Sequence, residues 1–235
     1  MFFPIKVSSF FPGAVVGTVH SAASLAAALK LRSKAVDFLE LRLDAFAAPA
    51  DLERLEKSIP KLAAPLIITA RHPLEGGAGR LTPGQRRALY KRFLPSASLI
   101  DVELRSAAAL TEVIAQAQAE GVGVILSHHD FRRTPPADQL RKLRRKAQKA
   151  GCCIFKVATT AHEARDLAAL LDFLTGPRQG APQLSVMGMG PFGKISRLAL
   201  GKAGSVLNYG YLDKPQVAGQ WPAVLLKERL AELSQ

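Results

Sequence analysis

Short apolar runs of strand length alternate with longer segments of helical period along this chain, and this alternation limits the possible folds most. The eight strand-like runs lie at 14–19, 36–43, 65–71, 98–104, 122–129, 152–158, 184–188 and 205–209. The eight helical segments lie at 22–31, 52–59, 83–93, 107–119, 137–150, 161–174, 195–200 and 223–233. Eight of each in 235 residues predict an α/β protein built as a (β/α)8 TIM barrel, with residues 1–235 as a single domain.

The alternative fold is an open, doubly wound parallel sheet. Most of the strand-like runs are continuously apolar, as expected in either fold for strands covered on both faces. A doubly wound sheet usually carries a glycine-rich phosphate turn after its first strand, whereas residues 17–21 read Gly-Thr-Val-His-Ser. The barrel is therefore the better prediction, and no linker or low-complexity stretch divides it.

A net charge of +13 is the unusual feature of the composition. Such a charge is typical of nucleic-acid binding proteins, but it also suits an anionic small substrate and a basic surface. Much of the excess lies at 141–149, which has the pattern of the solvated face of a helix that buries Leu140, Leu143 and Ala147. Because no aromatic residues interleave with these charges to stack on bases, we do not expect nucleic-acid binding.

The cysteines and the apolar runs indicate a cellular compartment. Cys152 and Cys153 are the only cysteines and are adjacent, so they are poorly placed to bridge each other, which suits a reducing compartment. No run approaches the roughly 20 apolar residues of a membrane span. The first residues lack the apolar core and cleavage site of a signal peptide. We therefore expect a soluble cytoplasmic protein.

The apolar run 154–158 contains one lysine, Lys156. Ammonium groups are rarely buried unless something stabilises or uses them. One interpretation is that the aliphatic stem is buried while the amine reaches the surface. The other is that loss of hydration favours the neutral amine, which can attack a carbonyl. The run alone does not decide between them.

Polar side chains recur near the carboxyl ends of the predicted strands, mostly at spacing two. They are Glu40, Arg42 and Asp44; Arg71; Asp101, Glu103 and Arg105; and Ser127 and His129. Residues at i and i+2 of a strand share a face, and the active site of a barrel lies at the carboxyl ends of its strands. The pattern predicts a polar site beside Lys156. The alternative is a network of structural salt bridges, which is most plausible for Asp44, Asp101 and Arg105.

Three predicted loops add further polar groups at the same end. The loop 72–77 projects Glu75 over the predicted mouth. Glycines at 187–197 precede a helix and could cradle an anion that Arg197 clamps, although Arg197 suits an ordinary surface position equally well. The segment 211–222 carries Gln216 and Gln220 and could close over the mouth as a lid.

Seven short motifs follow one another in order along almost the whole chain. They are ELRLD at 40–44, TAR with EGG at 69–77, DVEL at 101–104, SHHDF at 127–131, FKVA at 155–158, MGMG with SR at 187–197, and AGQ at 218–220. Each motif is weak by itself, but the ordered set resembles the type I 3-dehydroquinate dehydratases. These are Schiff-base enzymes of the shikimate pathway, and the resemblance also implies the barrel fold.

The resemblance implies the catalytic groups. Lys156 matches the Schiff-base lysine of the family, and Glu75 matches the carboxylate that orients its histidine. The spacing along the strand does not show whether His128 or His129 faces the site. The resemblance implies that His129 is the general acid and base. No metal or organic cofactor is needed for such a reaction.

The resemblance also implies the groups that bind substrate. They are Glu40, Arg42, Arg71, Arg197 and Gln220. Gln216 stands where the family has a serine before its lid motif, and Ala218 replaces the proline of that motif. On the first strand, Thr18 is the predicted contact to substrate, and Gly17 is the competing alignment.

The implied reaction removes water from 3-dehydroquinate to give 3-dehydroshikimate. An iminium on Lys156 would make the former carbonyl a stronger electron sink. His129 would take a proton from the adjacent carbon and return one to the departing hydroxyl, while Glu75 fixes its ring. Arg197 is the best match for the carboxylate of this small-molecule substrate.

Two other function classes remain open from the sequence. One is another Schiff-base barrel enzyme, such as an aldolase. The other is a non-enzymatic nucleic-acid binder, which only the net charge favours. Members of the resembled family are often dimers, and Phe10, Phe11 and the C-terminal helix could offer a surface for a homodimer.

Overall fold

The structure is a computed structural model that describes residues 13–46, 48–177 and 182–233. Phe10 and Phe11, named above for a dimer surface, lie outside these ranges. Eight strands and eight helices alternate within them. The strands are β1 Ala14–Val19, β2 Phe38–Arg42, β3 Leu66–Thr69, β4 Leu99–Glu103, β5 Gly123–Asp130, β6 Ile154–Thr160, β7 Gln183–Met189 and β8 Leu207–Tyr211. The helices are α1 Ala22–Ala28, α2 Pro49–Ser58, α3 Pro83–Phe93, α4 Thr111–Ala119, α5 Ala137–Lys149, α6 Ala164–Thr175, α7 Gly193–Lys202 and α8 Ala223–Glu232.

The strands form one parallel sheet that curls into a nearly closed barrel. From β1 to β7 each strand pairs with the next along the chain, and β1 also pairs with β8, with Val16 opposite both Phe38 and Tyr209. Between β7 and β8 the backbone N–H of Val206 donates to Leu184 O at 2.9 Å. This strand order confirms the predicted (β/α)8 barrel, since an open doubly wound sheet reverses its strand order near the middle.

Local signals in the sequence explain where several helices begin. Ser21 and Thr82 each form a capping box, and proline occupies the first turn of α2 and α3. The prediction was wrong for α4, which begins at Thr111 and not at residue 107. The reason is that Leu104–Ser106 form a 3₁₀ turn, so the chain has to turn again before an α-helix can start.

The barrel has two cores because successive strand residues point to opposite faces. Outward-facing residues such as Phe155 and Val157 pack under the helices, while the interior is filled by a second apolar cluster that includes Ile125, Ile154 and Tyr209. Above this apolar floor, many of the inward residues near the carboxyl ends of the strands are charged or polar. The fold therefore places the polar site at the mouth of the barrel.

The cysteines and helices bear on the expected compartment. Cys152 and Cys153 are both free thiols. None of the helices in the described part of the chain has the length and apolar character that crossing a membrane would require.

Candidate active site

A cavity of about 180 Å³ opens at the carboxyl ends of the strands. All ten residues that the sequence predicted for the site line it: Thr18, Glu40, Arg42, Arg71, Glu75, His129, Lys156, Arg197, Gln216 and Gln220. The lining also includes side chains that the sequence did not select, namely Phe131, Ala158, Met187, Met189, Tyr209 and Val217. The predicted residues thus come to one place from four strands, from helix α7 and from the segments that follow β3 and β8.

Lys156 lies inside the barrel and is only 3% exposed. Its Nζ is 2.9 Å from Asp101 Oδ2 and 3.7 Å from Glu40 Oε1. The same nitrogen lies 3.7 Å from the centroid of the Tyr209 ring. The amine does not reach the outer surface, so the first interpretation of the run 154–158 does not describe it. Two carboxylates beside the nitrogen stabilise an ammonium, an influence that the sequence had not indicated.

Asp101 is the centre of the buried charge network. Its carboxylate accepts both terminal nitrogens of Arg71, at 3.1 and 2.8 Å, and the hydroxyl of Ser127 at 2.6 Å. Burial opposes ionisation of this carboxyl, but Arg71 and Lys156 hold its pKa well below the usual range. The sequence favoured a purely structural role for Asp101. The structure agrees with a salt-bridge network and also makes Asp101 the direct partner of Lys156, because β4 and β6 both pair with β5 and their inward side chains meet in the interior.

Asp44 and Arg105 fit the structural interpretation better. Asp44 is buried and binds Arg42 Nη2 at 2.8 Å, as well as the backbone N–H groups of Arg71 and Ala78 at 3.0 and 2.9 Å. It thereby fixes the loop after β3. Arg105 has a half-exposed side chain whose Nε lies 3.7 Å from Glu75 Oε1.

His129 and Glu75 form a second pair at the cavity. Glu75 Oε2 lies 3.0 Å from His129 Nδ1 and also accepts the backbone N–H of His129 at 3.0 Å. Glu75 ends a 3₁₀ turn whose next residue, Gly76, has a φ of +84°. His128 does not line this cavity, so only the second histidine of the doublet faces it.

Burial shifts the pKa of both members of this pair. It raises the pKa of Glu75 to about 7, and Glu103 adds to the effect. Burial, Arg71 and Lys156 hold the pKa of His129 well below 6.5. At neutral pH the imidazole is therefore a neutral base. When ionised Glu75 accepts from Nδ1–H, the lone pair is on Nε2.

Arg197 is buried and is not the surface residue that the sequence left open. It donates to four backbone carbonyls, those of Tyr209, Gly188, Gly193 and Gly219, at 2.7–3.1 Å. Among the described residues no carboxylate lies within 4.0 Å of it to form a salt bridge. Burial lowers its pKa to about 10, so it remains a cation at neutral pH. The cavity wall therefore contains a positive charge that no carboxylate in the described ranges neutralises directly.

The segment after β8 lies over the mouth, as predicted for a lid. Gln216 Oε1 accepts Arg42 Nη1 at 3.1 Å, and Gln220 Oε1 accepts the backbone N–H of Gln216 at 2.6 Å. Gly219 has a φ of +80°, and a Cβ there would lie 2.5 Å from the carbonyl oxygen of Gly190. The lid backbone is thus in direct contact with the loop after β7.

Thr18 and Gly17 face opposite sides of β1. Thr18 lines the cavity, whereas a Cβ on Gly17 would meet the side chains of Leu212 and Leu39. Of the two alignments considered for the first strand, only Thr18 can contact a molecule in the cavity. Among the described residues there is no group of three or more His, Cys, Asp or Glu side chains that could hold a metal ion.

Comparison with known proteins identifies the family. The model of the type I 3-dehydroquinase family matches residues 14–235. The chain is 34% identical over 210 residues to the 3-dehydroquinate dehydratase of Staphylococcus carnosus (strain TM300), covering 84% of this chain and 86% of that protein. It is 33% identical over 221 residues to the enzyme of the same name from Thermococcus gammatolerans (strain DSM 15229 / JCM 11827 / EJ3), covering 93% and 98%. The crystal structure of 3-dehydroquinate dehydratase from Geobacillus kaustophilus HTA426 is similar, with a TM-score of 0.82, 27% identity and coverage of 94% and 91%.

Proposed function

The chain belongs to the type I 3-dehydroquinase family of hydro-lyases, and from this premise we propose that it dehydrates 3-dehydroquinate to 3-dehydroshikimate through an imine on Lys156. The observation that carries the proposal is one cavity lined by a buried amine, a neutral imidazole paired with a carboxylate, and an arginine that forms no salt bridge within the described part of the chain. These are a nucleophile, a base and an anion-binding group. We also propose that the barrel is one catalytic domain.

The substrate carboxylate binds Arg197. A buried guanidinium that lacks a counter-ion gains more from a carboxylate than an exposed one, because the interaction takes place away from water. The substrate hydroxyls bind the polar groups around the rest of the cavity, which are Thr18, Glu40, Arg42, Arg71, Gln216 and Gln220. This arrangement leaves the substrate ketone free to approach Lys156.

The Lys156 amine attacks the ketone after it loses one proton. Its lone pair forms the C–N bond, and the carbonyl π electrons move to oxygen, which takes a proton from the nitrogen and gives a carbinolamine. That oxygen then takes up the proton that Lys156 lost before the attack and leaves as water when the nitrogen lone pair forms the C=N bond. Asp101 and Glu40 lie beside this nitrogen and stabilise the resulting positive iminium.

His129 then moves the protons of the elimination. The imidazole takes a proton from the carbon beside the iminium, and the C–H electron pair forms an enamine. As the enamine re-forms the iminium, the C–O bond of the β-hydroxyl breaks, and this oxygen leaves with the proton that imidazolium returns. Hydrolysis of the iminium frees the product and the amine. Glu75 holds the imidazole ring in place for both transfers.

Borohydride reduction tests the covalent route. We expect reduction in the presence of 3-dehydroquinate to leave a stable adduct on Lys156, located by peptide mass spectrometry. Lys156→Ala should lose the adduct and nearly all turnover, whereas Lys194→Ala, at the start of α7, should keep both. Labelling at another residue, no labelling, or substantial turnover by Lys156→Ala would refute the role of this lysine.

A further inference from the structure

The hydroxyl of Tyr209 is buried and has no hydrogen-bond partner among the described residues. Tyr209 lies on β8, lines the active-site cavity and is 4% exposed. The face of its ring lies 3.7 Å from Lys156 Nζ. An unpaired polar atom therefore lies on the ring that supports the proposed nucleophile.

A hydroxyl in this state lowers the stability of the folded protein. Burial removes its hydrogen bonds to water, and no group in the part of the chain that the structure describes replaces them. Phenylalanine would fill the same volume and present the same ring face to Lys156 without this cost. The hydroxyl therefore has its use in a state that contains an additional polar atom, such as the complex with substrate.

The neighbouring carboxylates do not supply the missing partner. Asp101 is occupied by Arg71, Ser127 and Lys156, and Glu40 accepts the hydroxyl of Thr69 at 3.0 Å. Burial, Glu40 and Asp101 raise the pKa of Tyr209 well above its ordinary value. The group is thus a phenol at neutral pH, with a hydrogen to donate.

We propose that Tyr209 donates a hydrogen bond to the substrate oxygen that Lys156 displaces. This inference rests on the proposed imine. The donor would bind the ketone oxygen while Nζ attacks the carbon, and then the hydroxyl of the carbinolamine until that oxygen leaves as water. Tyr209 keeps its proton throughout, so the balance of the two steps is unchanged. The hydrogen bond stabilises the negative charge that develops on oxygen as the C–N bond forms.

The position of the ring suits this role. The attacked carbon becomes bonded to Nζ, so its oxygen is two bonds from a nitrogen that starts over the Tyr209 ring. The tyrosine hydroxyl is enclosed while Lys156 rests against Asp101. The inference requires the amine to leave Asp101 as it reacts, so that the substrate oxygen can lie beside the ring.

Tyr209→Phe tests the inference because it removes only the hydroxyl. The measurement is single-turnover imine formation with 3-dehydroquinate, quenched by borohydride at successive times and counted by mass spectrometry. We expect the rate of adduct formation to fall by roughly 10- to 100-fold, somewhat less than for loss of an oxyanion-hole donor. The melting temperature should stay the same or rise, because an unpaired polar atom has been removed.

Tyr211→Phe is the matched control, since Tyr211 is on the same strand but does not line the cavity. It should form the adduct at the wild-type rate. Adduct formation by Tyr209→Phe at the wild-type rate would overturn the inference. A lower melting temperature of this variant would also overturn it, because it would mean that the hydroxyl already has a hydrogen-bond partner in the folded protein. If the wild-type protein itself forms no adduct, the proposed function fails, and the role of Tyr209 fails with it.

Discussion

Lys156 Nζ lies 2.9 Å from Asp101 Oδ2, and both groups are buried in the barrel. Asp101 is shared with Arg71, so one carboxylate balances two cations, with Glu40 3.4 Å from Arg71 and 3.7 Å from Lys156. The proposed nucleophile is therefore part of the network that neutralises charge in the interior. Removal of any member should therefore change both the stability of the protein and the proposed reaction.

Asp101→Asn should destabilise the protein by about 3–5 kcal/mol, because it leaves buried cations without their main counter-charge. Urea unfolding at neutral pH measures this loss. Asp138→Asn, which alters an exposed carboxylate on α5, should change the free energy of unfolding by less than about 0.5 kcal/mol. Equal effects of the two variants would mean that the network is not stabilised by the charge of Asp101.

The loss caused by Asp101→Asn should also depend on pH. The pKa of Asp101 is lowered in the folded protein, so its contribution is fully present above the unfolded value of about 3.9 and is lost as the pH falls below it. The difference in the free energy of unfolding between wild type and variant should therefore become smaller at acidic pH. A difference that stays constant down to pH 2 would contradict this assignment.

His129→Ala should separate imine formation from elimination. We expect turnover to fall by about 10²- to 10⁴-fold, the usual contribution of a general acid and base, while borohydride still traps an adduct on Lys156. His128→Ala is the control, because that ring does not line the cavity. Greater loss of turnover in the control than in His129→Ala would exchange the two assignments.

Glu75→Gln should alter the pH profile of turnover. Because the pKa of Glu75 is raised to about 7 and that of His129 is held well below 6.5, Glu75 is the first of the two to gain a proton as the pH falls. Wild-type kcat/KM should therefore decline below about pH 7. The variant should be slower by up to about 10⁴-fold, as when a triad carboxylate becomes an amide, and its kcat/KM should not decline below pH 7 in this way. If the decline persists unchanged in Glu75→Gln, it must come from the titration of another group.

The same substitution should shift stability in a predictable direction. A carboxyl whose pKa is higher in the folded than in the unfolded protein stabilises the fold at pH values below its unfolded pKa of about 4.3. This stabilisation is lost as the pH rises through the folded pKa of about 7. Glu75→Gln does not titrate, so its stability relative to wild type should increase between pH 4 and pH 8. Denaturant titrations at several pH values measure the difference. Exposed Glu112→Gln on α4 should show no such trend.

Gly219→Ala should weaken substrate binding more than it slows chemistry. A Cβ at this position has an unfavourable φ and would lie 2.5 Å from the carbonyl oxygen of Gly190, so the lid must move away from the loop after β7. We expect KM for 3-dehydroquinate to rise by roughly 10-fold, about 1.4 kcal/mol, with a smaller change in kcat. Gly204→Ala is the control: Gly204 has a φ of +109°, but a Cβ there would meet no atom within 4 Å, so KM should not change. A raised KM in both variants would point to general loss of stability.

Short-range patterns in the sequence predicted the barrel and several residues at its mouth, whereas Thr18 and the choice of His129 came from the family resemblance. Alternation of strand and helix determines the topology, and spacing of two determines which residues face inward. The partners across the interior could not be predicted in this way. Asp101 pairs with Lys156, which lies more than 50 residues away on another strand. The alternation of inward and outward residues along β4 shows that Asp101 faces inward, but not which residue of another strand it contacts.

The sequence missed Tyr209 and left the burial of Arg197 open, for different reasons. Tyr209 lies in an apolar strand, and nothing in residues 207–211 distinguishes a tyrosine that fills the core from one that faces a reactive amine. Arg197 is in the first turns of a helix, where exposed and buried arginines look alike in sequence. Its burial depends on the close approach of Gly193 and Gly219, which only the folded backbone shows.

Arg197 donates to the carbonyl oxygen of Gly219 at 2.7 Å and is also the proposed anchor of the substrate carboxylate. One guanidinium thus joins the strap over the entrance to the molecule held beneath it. Binding of a ligand in the pocket should therefore make the strap, residues 216–220, more ordered. A ligand with a carboxylate should protect the backbone amides of these residues from hydrogen exchange, and an otherwise identical ligand without that charge should not.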